Sequence, residues 1–170
     1  MITTQRLFLR RAQMEDLEDL HAVFSNNDAM RYWDSLPFED VSQTEQLLRG
    51  MVAASPTESD DFVVEYQGQV IGKAGCWRLG EVGFILHPKY WGQGLAFEAL
   101  SAVIPHAFET LPMSRIEADV DPRNVASLTL LAKLGFRETG RAKRTIRVGD
   151  EWCDSVYLEL QRLDQKPSDG

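Results

Sequence analysis

Cysteine is scarce in this chain: two residues, Cys76 and Cys153, in 170, with no CxxC pair. That excludes a disulfide framework and a thiolate zinc cluster, and it predicts two reduced, half-buried thiols. There are three histidines, none paired at helical ligand spacing, so no metal site is expected. No apolar run approaches the ~18 residues of a membrane helix. The start, "MITTQRLFLRRAQ", has neither the apolar stretch nor the cleavage site of a secretory signal. A reducing, cytoplasmic setting without membrane contact is the expectation. Positive charge is also short: the net charge of −8 argues against a nucleic-acid partner. Internal repeats and low-complexity stretches are absent.

Enough apolar residue is present, 44%, for one sizeable core. The length predicts a single domain over residues 1–163, with "DQKPSDG" (164–170) as a frayed tail. "TQRLFLRRA" begins like a strand. "QMEDLEDLHAVFSN" carries apolar residues at helical spacing, followed by a short helical piece in "DAMRYWD" and a helix in "EDVSQTEQLLRGMVAA". Three strand-like runs, "FVVEY", "QVIGKAGCWR" and "EVGFILH", are separated by the tight turns "YQGQ" and "RLGE", which predicts an antiparallel meander. A long helical pattern over "GLAFEALSAVIPHAFETL" contains Pro105, expected to kink or interrupt it. The strand "SRIEADV" follows. Then comes the helix "NVASLTLLAKLGF", with Asn124 as N-cap and Gly135 as its stop. A final hairpin turns at Val148-Gly149-Asp150. The order predicts an α+β fold with a mixed, mostly antiparallel central sheet flanked by helices. The basic run "RETGRAKRTIR", 137–147, is either a solvated hairpin face or a local anion-binding edge.

"HPKYWGQGLAFEAL" is the most pointed stretch. Pro88 ends ladder pairing, and Gly92 and Gly94 sit where the chain turns into a helix. The first N–H groups of a helix lack internal partners and carry partial positive charge. Glycines adopt positive φ and admit a ligand closely. A pyrophosphate cradle is therefore one reading, and a plain turn is the other. A Walker loop would need Gly-Lys-Ser/Thr. The dinucleotide fingerprint fails because Phe97 stands at its third small position. A nucleotide-binding module is accordingly disfavoured.

Coupled to "RIEADVDPRNVASLTLLAKLGF", the stretch resembles the GNAT superfamily of acetyl-CoA-dependent N-acetyltransferases, within it the RimJ/RimL-like branch that acts on ribosomal proteins. The likeness runs from "TQRLFLRR" to "EWCDSVYLEL". It implies the GNAT fold and acetyl-CoA as acyl donor, with the pyrophosphate held by Trp91, Gly92, Gln93, Gly94, Leu95, Ala96 and Phe97. Trp91 departs from the Gln or Arg that opens this loop elsewhere in the family, as is usual in the branch. The resemblance further implies that the edge Phe84-Ile85-Leu86 pairs with the pantetheine amides and that Asn124 and Ser127 face the cofactor arm. "MRYWD", with Tyr32, Trp33 and Asp34, falls where the family builds its acceptor wall, although core packing accounts for Trp33 equally well.

The implied reaction is direct attack of a neutral amine on a thioester carbonyl in a ternary complex. It needs a deprotonated amine, a donor to the carbonyl oxygen and an acid for the leaving thiolate. The donor is expected to be a backbone N–H, with Leu86 the candidate. Many GNAT enzymes place an acid tyrosine seven residues after the position of Asn124, but here that position is Leu131. Ser127 is the substitute candidate, against a serine bonded only to its own helix. Glu81 and His87 are the candidate bases, against a turn carboxylate and a loop side chain. Glu98 and Glu117 are weaker candidates. The expected partner is an amine acceptor, a protein N-terminus or a small molecule, and the chain is expected to be a monomer or homodimer. The competing reading is an acyl-CoA-binding sensor without turnover, kept open by Leu131.

Overall fold

The computed structural model describes residues 1–163, and the expected tail at 164–170 lies outside the described residues. Eight strands form one sheet: β1 (Ile2–Thr3), β2 (Leu7–Arg10), β3 (Asp60–Tyr66), β4 (Gln69–Arg78), β5 (Glu81–Leu86), β6 (Arg115–Val120), β7 (Arg137–Val148) and β8 (Glu151–Gln161). Their spatial order is β1-β2-β3-β4-β5-β6-β8-β7. Every neighbouring pair is antiparallel except β5 and β6, which run parallel. The fold is thus α+β with a mixed, mostly antiparallel sheet. Gln67 and Gly68, both at positive φ, make the tight β3–β4 turn that "YQGQ" foretold.

Each face of the sheet is covered by helices. On one face lie α1 (Leu17–Phe24) and α2 (Val41–Ala53), whose Leu20, Phe24 and Leu48 pack on Val63, Val70 and Ile85. On the other lie α3 (Leu95–Thr110) and α4 (Val125–Lys133), whose Leu100, Val103 and Leu131 pack on Phe62, Ile116 and Val156. Alternate strand residues feed the two cores because successive side chains point to opposite faces. Asn124 caps α4 by accepting from the Ser127 N–H at 3.2 Å. Gly135, at φ +96°, ends the helix by donating its N–H to the Ala132 carbonyl at 3.1 Å. Among the described residues no helix is long and apolar enough to cross a membrane.

Two expected features are corrected. Pro105 does not interrupt α3, which runs unbroken from Leu95 to Thr110. Pro105 and Ser101 are both exposed, so the carbonyl deprived of its partner lies on the solvent side, while the buried Val103, Ile104 and Ala107 hold the helix to the sheet. "DAMRYWD" forms successive turns rather than a helix. The Asn26 side chain accepts from the Ala29 N–H at 3.0 Å, local bonding that competes with a helix, and Met30 is drawn into the α1/α2 core.

The basic segment 137–147 occupies the edge strand β7. Arg141 pairs with Glu138 and Arg147 with Asp150, and most of the strand is exposed. This is the solvated hairpin face, with charge blunting an open sheet edge.

Candidate active site

The only parallel pair in the sheet is also its weakest seam. β5 and β6 share a single register pair, Glu81 with Glu117, closed by the Glu117 N–H donating to the Gly80 carbonyl at 2.6 Å. Beyond it the strands part. β6 stays paired along its length with β8, and β5 with β4. A wedge therefore opens between Val82–Leu86 and Ala118–Val120. Its edge polarity follows from the ladder. His87 donates its N–H to the Ile71 carbonyl at 2.8 Å, so the alternate residues Leu86 and Phe84 turn their N–H and C=O groups away from β4, toward the wedge. The Leu86 carbonyl is already taken by the Trp91 indole N–H at 2.9 Å. The Leu86 N–H and both Phe84 groups remain to pair with an extended ligand. Ile85 turns its backbone to β4, opposite Lys73, and its side chain into the α1/α2 core.

At the open end the chain passes through a 3-10 turn, Pro88–Tyr90, and then through Gly92 and Gly94, at φ +71° and +76°, into α3. Gly94 is the residue before the helix and offers no side-chain cap. The Glu98 N–H makes the first helical bond, to the Gly94 carbonyl at 3.0 Å. The N–H groups of Leu95, Ala96 and Phe97 thus have no helical partner. A Cβ at Gly92 would meet nothing within 4 Å, so the loop faces open space. An uncapped helix mouth with two left-handed glycines fits an anionic diphosphate. Asn124, by contrast, spends its side-chain oxygen capping α4.

The proposed proton-transfer groups are not brought together. Glu81 lies at the closed end of the wedge, paired with Arg78, whose Nε donates to it at 2.7 Å. His87 lies at the open end, about 20 Å along the same strand, and its Nδ1 accepts from the Lys89 N–H at 3.2 Å. Ser127 is half-buried on the first turn of α4. Leu131, one turn on, is fully buried in the core. Glu117 pairs with Arg115 at 3.0 Å on the exposed side of β6. Glu98 is a brace: it accepts from the Thr4 hydroxyl at 2.6 Å and from the Arg6 N–H and Nε, each at 2.7 Å. Burial alone would push its pKa up, but these bonds hold it below the ordinary glutamate value, so it is a poor proton acceptor.

A cavity of about 200 Å³ opens at the end of β6. Tyr32 and Trp33 line it, together with Arg31, Asp121, Arg123 and Glu151. Asp34 is exposed and absent from that lining; the carboxylates of the cavity are Asp121, just beyond β6, and Glu151, at the start of β8. Trp33 serves both cavity and core, packing edge-on against Phe24 at 5.8 Å. Arg123 spans the cavity floor. Its Nη2 donates to Asp121 at 2.7 Å and its Nη1 to Glu151 at 2.6 Å, and its guanidinium lies 5.5 Å from the Tyr32 ring centre. Hydrogen bonding from Arg123 holds the Asp121 carboxyl below its ordinary pKa. Sequence spacing hid this cluster because its members come from three distant segments. Asp121-Pro122-Arg123, between a strand and a capped helix, was the one local cue.

An acetyltransferase (GNAT) domain model matches residues 6–137. The chain is 30% identical to a ribosomal protein uS5-alanine N-acetyltransferase of Escherichia coli, covering 98% of this chain and 93% of that one. It is 27% identical to a spermidine N(1)-acetyltransferase of the same species, covering 88% and 83%. Among solved structures, a GNAT-family acetyltransferase from Bacillus anthracis superposes with a TM-score of 0.81 at 27% identity, covering 94% of this chain and 97% of that one.

Proposed function

This chain belongs to the GNAT acetyltransferase family of N-acetyltransferases, with acetyl-CoA as acyl donor, and we propose that its acceptor is a peptide α-amino group or a comparable low-pKa amine. The observation that carries the cofactor side is the uncapped mouth of α3, opening beside the parted β5 and β6. The N–H groups of Leu95, Ala96 and Phe97 would hold the diphosphate, and the free edge groups of Phe84 and Leu86 would pair with the pantetheine amides. Acetyl-CoA supplies an activated acetyl thioester. The Leu86 N–H, fixed by strand pairing, is the donor assigned to the carbonyl oxygen, a group that costs no reorganisation. As the C–N bond forms and the C–S bond breaks, the Ser127 hydroxyl is assigned to give its proton to the departing sulfur and to be restored by the proton the amine nitrogen sheds, so the net transfer is from amine to thiolate.

The acceptor assignment rests on charge and on proton demand. The cavity's lining carries Arg31 and Arg123 against Asp121 and Glu151, so it is balanced and holds no surplus anion for a polycation. Asp121 accepts from Arg123 on both oxygens and Glu151 on one, so each carboxylate is already paired with a cation. Glu81 and His87 are engaged by Arg78 and the Lys89 N–H. The amine must then arrive already neutral. An α-amino group, with a pKa near 8, does so more readily than lysine near 10.4, by roughly 3.4 kcal/mol. The relative named for an alanine of ribosomal protein uS5 supports this direction. The sensor reading finds no support among the relatives, which are named as N-acetyltransferases.

Thiol release from acetyl-CoA, measured with matched peptides carrying only an α-amine or only a lysine, tests the assignment. A higher kcat/KM for the α-amine is expected. Preference for lysine overturns the acceptor class, and no release with any amine overturns turnover itself. Ser127→Ala is expected to lower kcat by about 10²-fold with the KM for acetyl-CoA unchanged.

A further inference from the structure

Arg6 lies in the turn between β1 and β2, yet its side chain reaches the loop ahead of α3. Its Nη1 donates to the Gln93 carbonyl at 2.9 Å, and its Nε and backbone N–H both donate to Glu98. Its Nη2 makes no hydrogen bond to a described residue and stands 3.5 Å from the point a Cβ on Gly94 would occupy. The guanidinium is therefore laid along the outside of the glycine loop, with one donor edge uncommitted. Three consequences follow from elementary chemistry. Across a trans peptide the C=O and the next N–H point oppositely, so drawing the Gln93 carbonyl to Arg6 turns the Gly94 N–H the other way. Glu98, in the first turn of α3, would oppose an anion at that helix mouth, and Arg6 neutralises it while Thr4 pulls it aside. Finally, the loop has Trp91 where Gln or Arg stands elsewhere in the family, and its one lysine, Lys89, lies over the Tyr90 ring at 5.8 Å.

We propose that Arg6 is a positioning residue of the diphosphate site, turning the Gly94 N–H toward the bound diphosphate through its hold on the Gln93 carbonyl and neutralising Glu98 beside it. The proposal rests on the loop's reading as the CoA diphosphate site, and the test separates the two. CoA, and acetyl-pantetheine, which shares the arm but lacks the diphosphate, are titrated calorimetrically into the wild type, Arg6→Gln and Arg6→Lys. Unliganded thermal melts report the fold of each. CoA affinity falls about 10- to 100-fold in Arg6→Gln while acetyl-pantetheine affinity changes less than about twofold. Arg6→Lys keeps a cation beside Glu98, but a single nitrogen replaces the planar fork that spans Glu98 and the Gln93 carbonyl, so it shows a selective loss for CoA even where Arg6→Gln does not fold. Unchanged CoA affinity in the folded variants, or equal losses for both ligands, overturns the assignment. A wild type that binds no CoA overturns the loop reading instead.

Discussion

Leu131 shows how a single residue's role depends on direction. The family likeness places a tyrosine acid at this position, and its absence from the sequence reads as a gap in the chemistry. In the fold the side chain is fully buried against the sheet, so leucine fills a core site. Leu131→Tyr is expected to overpack that core, lowering stability in urea melts by about 1–3 kcal/mol without raising kcat. Glu81, His87 and Glu98 tell the same story from the polar side. Each could exchange a proton by residue type, but each is already committed to a partner: Arg78 and Lys89 are chain neighbours of Glu81 and His87, whereas Arg6 reaches Glu98 from 92 residues away. The cysteines divide by access: burial pushes the Cys76 thiol up to about 12 and raises Cys153 too, but Cys76 is fully buried whereas Cys153 is half-buried and borders the cavity. Thiol alkylation of the native protein is therefore expected at Cys153 and not at Cys76.

At the scale of elements, local signals succeeded where chain neighbours settle the matter. The Asn124 cap, the Gly135 stop and the turns around Gly68 and Gly149 depend on a few adjacent residues, and all were legible. Pro105 does not interrupt α3 because its cost is local whereas its compensation is not: the core face of α3 holds the helix through the lesion. Pro105→Ala is expected to restore the bond to the Ser101 carbonyl and raise stability by about 1–3 kcal/mol, seen as a higher midpoint in thermal melts, roughly 2–4 °C per kcal/mol. Residues 28–34 failed for the converse reason, since Asn26 capping and the burial of Met30 outweigh helical periodicity.

At the scale of the whole molecule, the cavity beyond β6 is assembled from residues 27–37, 121–123 and 148–153, three segments that only the folded sheet unites. Arg123 decides its charge. Arg123→Gln leaves Asp121 and Glu151 unpaired beside Tyr32, so the variant is expected to gain at least about fivefold in the ratio of kcat/KM for spermidine over an α-amine peptide, with the KM for acetyl-CoA unchanged. A fivefold change corresponds to about 1 kcal/mol, the scale of one partly exposed charge contact. An unchanged ratio would remove Arg123 from acceptor selection.

The sequence by itself determined the α+β order, the glycine turn into α3 and the family, because turn chemistry, helical periodicity and the coupling of two motifs act over short chain distances. Only the tertiary structure decided that β5 and β6 part after one register pair, that Arg6 braces the loop and that Arg123 fills the cavity. Those facts depend on contacts between residues far apart in the chain, and composition and spacing carry no record of where a long side chain will end.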